Sequence, residues 1–341
     1  MISKLPFNEI YHEPHPYLPF VYKSHAMTQK EMDSTYSLHR GEGYRFGCYT
    51  TNNYRHLNGP NGSRNIVMPK PQGMIRINCL GDCITGNYIQ YKGVEYSYPL
   101  ELEKIVKARY PDNNIEINNF GLGCYSSAEV LIEFILSIID TQPDIVILYN
   151  GYNDLPISLT PNFRSDYSHA RKNLGEDYYR YKIASWLPAL PLAFYNYFVN
   201  FYLSQNIRFT LFGAIQRGLP DFDSEFRGLE TYRRNTEHLI NICKCNGIHI
   251  ILSTYCYNLY ENVKKSKVHL KYLEGTLKQN EIVRKLAAKH QCSLVDNYAL
   301  VPGLEENYMD SIHFSPRGMR LVAENISKEV INLIENIKNR K

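Results

Sequence analysis

Three short segments carry side chains suited to acyl chemistry, and each lies at the end of a predicted element. Cys83 follows the apolar run 75–80, which places a small nucleophile directly after a strand. Asn153 follows a second apolar run and supplies an amide donor. Asp310 stands three residues before His313, so a carboxylate and an imidazole are close in the chain. A nucleophile, an amide donor and an acid–base pair are therefore all present, and acyl chemistry at Cys83 would proceed through a thioester.

From Met74 onward, strand-like runs alternate with helix-like runs. We predict strands at 75–80, 115–120, 144–150, 248–254 and 293–295. We predict helices at about 97–109, 126–140, 229–245, 270–290 and 315–336. Strands separated by helices of this length indicate parallel pairing with right-handed crossovers. The pattern predicts an α/β fold, a three-layer α/β/α sandwich around a five-stranded parallel, flavodoxin-like sheet, with active residues at the carboxyl ends of the strands.

The order of four sequence blocks resembles the SGNH, or GDSL-type, hydrolase family. The blocks are Gly81-Asp82-Cys83, Asn119 to Cys124, Gly151-Tyr152-Asn153-Asp154 and Asp310 to His313. The resemblance covers about 74–158 and 229–330. It implies an ester hydrolase in which Cys83 is the nucleophile, His313 is the base and Asp310 orients the imidazole. The family has serine where this chain has Cys83.

The resemblance also implies an oxyanion hole. Its donors would be the backbone N–H groups of Cys83 and of the Gly123-Cys124 turn, together with the side-chain amide of Asn153. The family usually has glycine at the position of Cys124. A backbone donor survives that change, but a Cβ restricts the backbone angles and a second sulfur comes near the site.

Tyrosine is unusually frequent, at 29 of 341 residues. A tyrosine offers an apolar ring with a polar tip, which suits ligand grooves. We predict that Tyr88, Tyr125 and Tyr152, which lie in or near the blocks above, contact the substrate. The alternative interpretation is that many of the tyrosines fill half-buried positions around the core.

Several alternatives stay open for individual residues. We expect a helix N-terminus and an imidazolium partner to lower the pKa of the Cys83 thiol. Cys83 could instead be an inert residue of a site that has lost activity, or a laboratory replacement of serine made to trap an acyl-enzyme. His169 competes with His313 as the base, and Asn153 could simply cap its loop. We expect Asp82 and Asp154 to accept structural hydrogen bonds.

The leading function is hydrolysis of a carboxylic ester on a small molecule or carbohydrate, such as an O-acyl sugar. Because a thioester favours attack by amines and thiols over water, acyl transfer to another acceptor is the first alternative. Ligand binding without turnover is the second. We predict no cofactor and no metal site, because the sequence contains neither a phosphate-binding glycine loop nor metal-ligand spacing.

Composition narrows the class of protein further. The net charge of +4 over 341 residues includes no long basic block, so nucleic-acid binding is not indicated. Eight scattered cysteines favour free thiols in a reducing compartment over a disulfide framework. Residues 1–20 lack the apolar region of a secretory signal, so we expect a cytoplasmic protein.

We divide the chain into an irregular N-terminal extension, 1–73, and a hydrolase domain, 74–338, interrupted by an insertion at 155–228. We expect the insertion to form helices that cover the site as a lid, and the alternative is a contact with a membrane surface or a second subunit. The stretch 184–203 has the length of a membrane span, but its two prolines and two asparagines argue against a stable one. The sequence does not indicate the oligomeric state.

Overall fold

The computed structural model of the protein describes residues 12–13, 15, 17–22, 24–25, 50–111, 114–169, 220–259 and 266–339. The strands in this part of the chain are β1 His12–Glu13, β2 Val21–Tyr22, β3 Ile75–Gly81, β4 Ile89–Tyr91, β5 Val94–Tyr96, β6 Ile115–Gly121, β7 Ile145–Tyr149, β8 His249–Ser253 and β9 Ser293–Val295. The five predicted strands are therefore confirmed to within one residue at each end.

These five strands form one parallel sheet in the order β6-β3-β7-β8-β9. The pairs β1–β2 and β4–β5 are small antiparallel ribbons. Gly81 at the end of β3 pairs with Gly121 of β6 and with Tyr149 of β7. Because these three adjacent strands end at the same level, the residues that follow them meet at the carboxyl end of the sheet.

The α-helices of the described residues are α1 Cys83–Gly86, α2 Tyr98–Arg109, α3 Ser127–Glu133, α4 Asp154–Ser158, α5 Leu229–Cys245, α6 Lys267–His290, α7 Asn297–Leu300 and α8 Pro316–Asn339. Ser126 caps α3, and its N–H donates to the Glu129 carboxylate at 2.7 Å in a capping box. The second half of the helix predicted at 126–140 is not α-helical, because a π turn at Phe134–Ile138 and a 3₁₀ turn at Ile139–Thr141 follow α3.

Helices cover both faces of the sheet. On one face, α2 and α8 pack their apolar residues against inward-facing strand residues, with Leu102, Val106, Val322 and Ile326 joining Ile77 and Ile147 in one core. On the other face, α3, α5 and α6 do the same, with Val130, Leu239 and Leu286 joining Leu80 and Leu148. The predicted α/β class and three-layer arrangement are confirmed.

The N-terminal segment 50–73 covers the exposed edge of the sheet at β6. The Asn58 side chain donates to the side-chain oxygen Oδ1 of Asn118 at 2.9 Å and accepts from the Asn119 backbone N–H at 3.1 Å. His56 Nε2 lies 2.8 Å from a Glu133 carboxylate oxygen on α3, and both side chains are buried. An edge strand that is already paired in this way is unavailable to another chain.

Most of the predicted insertion, 170–219, lies outside the described residues, as does the apolar stretch 184–203. Its two described ends lie together: the Asp221 N–H donates to the Leu159 carbonyl at 2.9 Å, and the Arg227 N–H donates to the Ser158 carbonyl at 3.1 Å. None of the helices in the described ranges combines the length and the apolar character needed to cross a bilayer.

The end of β6 and the start of α1 approach each other closely at Gly121. A Cβ built on Gly121 would lie 2.1 Å from the Gly86 nitrogen and 2.4 Å from the Thr85 carbonyl carbon. No side chain fits in that space, so only glycine lets α1 lie against β6. Cys83 is the first residue of α1 and is held at this edge by the same contact.

We predict that Gly121→Ala lowers the free energy of unfolding by about 3 kcal/mol, the upper end of the usual cost of overpacking. Gly123→Ala is the matched control, because nothing lies within 4 Å of a Cβ built there, and it should change stability by no more than about 0.5 kcal/mol. Urea unfolding of both variants measures the difference. Equal stabilities would contradict the close-approach argument.

Candidate active site

The carboxyl ends of β3, β7 and β8 meet around one buried carboxylate, Asp82. Its Oδ1 accepts a hydrogen bond from the Ile84 N–H at 3.0 Å and thereby caps α1. Its Oδ2 accepts from the Gly151 N–H at 3.3 Å, just past β7. The Tyr255 hydroxyl, just past β8, donates to Oδ1 at 3.3 Å. Asp82 is thus the structural acceptor that the sequence suggested, and it connects three loops around Cys83.

The loop before α8 holds Asp310 and His313 in direct contact. Asp310 Oδ2 lies 2.6 Å from His313 Nδ1. Asp310 Oδ1 accepts the backbone N–H groups of Ile312 at 2.8 Å and of His313 at 2.7 Å. The carboxylate therefore keeps a proton on Nδ1 and leaves the lone pair of a neutral ring on Nε2, the nitrogen that acts as base in a triad.

The two groups of this pair stabilise each other's charged form. Burial disfavours ionisation of Asp310, but the charge and hydrogen bonds of His313 outweigh it and hold the pKa of Asp310 below its usual value. Burial likewise disfavours the imidazolium form of His313, but the charge and hydrogen bond of Asp310, with a contribution from Asp82, raise its pKa overall. His313 consequently keeps its proton to a higher pH than an ordinary histidine.

The thiol of Cys83 has the opposite character from the one that the sequence suggested. Burial raises the pKa of Cys83 well above its ordinary value, and the charges of Asp82, Cys124 and Asp310 raise it further. A hydrogen bond from Tyr255 lowers it only in part. The expected lowering is therefore wrong, because burial is the largest contribution and raises the pKa. The thiol is consequently protonated at neutral pH.

The side-chain amide of Asn153 points towards the turn that follows β6. Its Nδ2 donates to the Tyr125 carbonyl at 2.9 Å, and an amide nitrogen carries a second N–H donor. Asn153 makes no side-chain capping bond to α4, so its side chain does not act as a helix cap. The structure thus places the amide of Asn153 next to the Gly123-Cys124 turn that the family resemblance singles out.

Cys124 adopts a left-handed backbone conformation, with φ of 68°. A glycine takes this conformation readily, whereas a residue with a Cβ carries a cost of about 1 kcal/mol or more. Cys124 is also buried, and its ionisation would act on the pKa of Cys83. The backbone consequence expected from a cysteine at this position is observed.

Two of the three predicted substrate-contacting tyrosines are structural. Tyr88 and Tyr125 are buried, and their hydroxyls donate to backbone carbonyls, Tyr88 to Gly59 at 2.9 Å and Tyr125 to Phe20 at 2.6 Å. Their assignment to the substrate surface is therefore wrong, since the polar tip of each is directed at a residue of the N-terminal extension, 1–73.

Tyr152, by contrast, lies at the site as part of an aromatic group. Its ring stacks on Tyr255 at 6.4 Å and on Tyr257 at 6.1 Å between centroids, and Tyr272 meets it edge-on at 5.3 Å. The sequence analysis missed these three partners. Tyr255 and Tyr257 directly follow β8, so the rule that selected Cys83 and other residues after strand ends would have found them too.

His169, the competing base, lies in a different environment. Its Nδ1 accepts from the Arg164 N–H at 3.0 Å, so its Nε2 carries the proton and donates to the Ile157 carbonyl at 3.2 Å. Both ring nitrogens therefore form hydrogen bonds with backbone groups, one in α4 and one in the chain that follows it. Asp154 is also structural, accepting from the Ser127 N–H at 2.9 Å and the Tyr167 hydroxyl at 2.6 Å.

The cysteines of the described segments are all free thiols. Cys83 and Cys292 are half-buried, Cys245 is exposed, and the others are buried. Within the same segments, no group of three or more His, Cys, Asp or Glu side chains is arranged to hold a metal ion.

Three solved structures resemble this chain at low sequence identity. A lipase/acylhydrolase from Enterococcus faecalis is 17% identical with a TM-score of 0.46, covering 75% of this chain and 95% of its own. An acetylxylan esterase from Geobacillus stearothermophilus is 16% identical with a TM-score of 0.46, covering 75% and 94%. The acetyl xylan esterase AlAXEase is 14% identical with a TM-score of 0.46, covering 75% and 100%. Scores of this size assign neither an activity nor a residue role to this chain.

No family model matches the sequence, and no curated protein matches it either. The function of the protein is therefore inferred from the geometry of the site.

We predict that the His313 ring titrates with a midpoint above about 6.5, the ordinary value for histidine. Since the Asp310 charge raises the pKa of His313, Asp310→Asn should move the midpoint back down. NMR titration of the imidazole in both proteins measures it. A wild-type midpoint at or below the variant's midpoint would show that the carboxylate does not control the ring.

Proposed function

We propose that this protein hydrolyses carboxylic esters through an acyl-Cys83 intermediate. The observation that carries the proposal is the Asp310–His313 contact of 2.6 Å, in which the carboxylate fixes the ring with Nε2 as the basic nitrogen. Asp310 is also close enough to Cys83 for its charge to raise the pKa of the thiol. In the proposal, Cys83, His313 and Asp310 act together at the carboxyl end of the sheet.

In the proposed reaction, the Cys83 sulfur attacks the ester carbonyl while His313 Nε2 accepts the thiol proton. Because the thiol is protonated at rest, proton removal accompanies attack, as in a serine enzyme, and no thiolate–imidazolium pair stands ready beforehand. Asp310 stabilises the imidazolium that forms. The imidazolium then gives the proton to the departing alkoxide, and the alcohol leaves.

Hydrolysis of the thioester uses the same groups. His313 accepts a proton from water, the resulting hydroxide adds to the thioester carbonyl, and the proton returns to the Cys83 sulfur as the acid is released. In both steps the oxyanion would receive hydrogen bonds from the backbone N–H groups of Cys83 and of the Gly123-Cys124 turn, and from Asn153. One such donor is worth roughly 3–4 kcal/mol of transition-state stabilisation.

We propose a small-molecule or carbohydrate acyl ester as the substrate. The half-buried ring of Tyr152, beside the thiol and stacked on Tyr257, presents an apolar face with a polar tip to a bound molecule. Acyl transfer to an amine or thiol is the second candidate, and the thiol nucleophile itself favours it, since a thioester reacts with such acceptors in preference to water. Product analysis with and without an amine acceptor separates the two.

We predict that activated short-chain esters add the mass of one acyl group to Cys83, because Asp310, which holds the His313 ring, is near enough to this thiol to act on its pKa. Intact-mass spectrometry followed by peptide mapping measures the adduct. Cys83→Ala should abolish it, while Cys245→Ala, which removes an exposed thiol, should leave it unchanged. If the protein binds an ester yet never gains mass at Cys83, the site is a binding pocket.

We predict that Asp310→Asn lowers kcat by about 10⁴-fold, the effect of the equivalent change in a serine protease, because an amide favours the wrong imidazole tautomer. His169→Ala should leave kcat essentially unchanged, since both of its ring nitrogens are bonded to the backbone. Steady-state kinetics on one ester compare the two. An inactive His169→Ala variant beside an active Asp310→Asn variant would refute the assignment of the base.

A further inference from the structure

Gln279 is a buried glutamine in the middle of α6, and its side chain reaches the loop that carries Asn153. It is only 2% exposed, and its Nε2 donates to the Gly151 carbonyl at 3.0 Å. Its other amide atom, Oε1, is also buried and has no hydrogen-bond partner among the residues that the structure describes. Because a buried amide with one satisfied atom adds little net stability, fold stability alone does not account for a glutamine at this position.

Both backbone polar groups of Gly151 are bonded. Its N–H donates to Asp82 Oδ2 at 3.3 Å, and its carbonyl accepts from Gln279 and from the Asp154 N–H, the latter at 3.1 Å. The bond from Asp154 closes a four-residue turn, 151–154, in which Asn153 is the third residue. A side chain that fixes Gly151 therefore also fixes the position of Asn153.

The side chain of Gln279 also limits where this turn can lie. A Cβ built on Gly151 would lie 3.0 Å from Gln279 Oε1 and 3.6 Å from its Cδ, so the amide lies directly against the glycine backbone. The next residue of the helix, Asn280, accepts from the Tyr255 N–H at 2.7 Å and donates to the Tyr255 carbonyl at 2.9 Å. Helix α6 therefore holds the loops after β7 and β8 through two consecutive amide side chains.

The far end of the turn carries the proposed oxyanion donor. Asn153 Nδ2 donates to the Tyr125 carbonyl at 2.9 Å, and the amide has a second N–H for an oxyanion. Such a donor acts only from the correct place, because a misplacement of ~1 Å can lower a rate by about 100-fold. The turn that carries Asn153 must therefore be held rigidly.

We propose that Gln279 is a positioning residue, which fixes the turn 151–154 so that the Asn153 amide meets the oxyanion. The inference rests on the proposed function, because it gives Gln279 a part in ester turnover. In this role Gln279 touches neither the substrate nor the reacting atoms and acts only through Asn153. Its effect on the turn itself can be measured without any ester.

Gln279→Met tests the proposal, because methionine has nearly the same length and lacks the donor. We expect kcat on one activated ester to fall about 10- to 100-fold, less than the 10²–10³-fold cost of removing an oxyanion donor outright. KM should change by less than about twofold, because the donor acts on the transition state.

Thr276→Val is the matched control on the same helix. Thr276 is buried, and its Oγ1 donates to the Tyr272 carbonyl of α6 at 2.8 Å, so the substitution removes a buried hydrogen bond without touching the turn. It should leave kcat unchanged.

An Asn153→Ala background separates positioning from general damage to the site. If Gln279 acts through Asn153, Gln279→Met should lower kcat by less than about twofold once the Asn153 amide is gone. Gln279→Leu, which also removes the donor, takes the place of Gln279→Met if that variant fails to fold.

Amide hydrogen exchange measures the turn without any ester. The N–H groups of Gly151 and Asp154 are bonded to Asp82 and within the turn. Gln279→Met should speed their exchange by about five- to tenfold, as expected when one hydrogen bond of a local unit is lost. Thr276→Val should leave their exchange at the wild-type rate.

The proposal is overturned if Gln279→Met matches Thr276→Val in kcat or in the exchange of the turn, or if it lowers kcat equally with and without the Asn153 side chain. Failure of the proposed function looks different. In that case the wild-type protein turns over no ester, while Gln279→Met still speeds exchange in the turn.

Discussion

The buried carboxylate of Asp82 is the group on which the geometry of the site depends. A carboxylate without water must accept hydrogen bonds, and Asp82 finds its donors on three different segments, at Ile84, Gly151 and Tyr255. Each segment follows a different strand of the sheet. The hydrogen bonds of one buried acid therefore bring together the Cys83 turn, the Asn153 loop and Tyr255 after β8.

Burial also shifts the pKa values of Asp82 and of the neighbouring Cys83 thiol. It raises the pKa of Asp82 to about 7 and that of the Cys83 thiol well above its ordinary value. A protonated thiol cannot act as a preformed thiolate, so the proposed reaction takes its base from the Asp310–His313 pair. In that proposal the Cys83 thiol loses its proton during attack rather than before it.

The geometry of the site also depends on close backbone packing between α1 and β6. Gly121 lets α1 lie against β6, and Cys124 accepts a left-handed conformation three residues later so that the turn reaches the site. The N-terminal segment supports this region from outside, because Asn58 bonds to β6 and Tyr125 reaches Phe20. The segment is irregular, yet it packs as an integral part of the sheet edge.

Much of the fold and part of the site follow from the sequence alone. The strands and the caps at Ser97 and Ser126 are set by neighbours in the chain, which is why they could be predicted closely. The Asp310–His313 contact is equally local, since it spans three residues. Tertiary structure alone decided which way the pKa of Cys83 shifts, that Tyr88 and Tyr125 are structural, and that Tyr255 reaches Asp82. Each of these depends on burial or on a partner far away in the chain, and neither quantity is contained in a local pattern of residues.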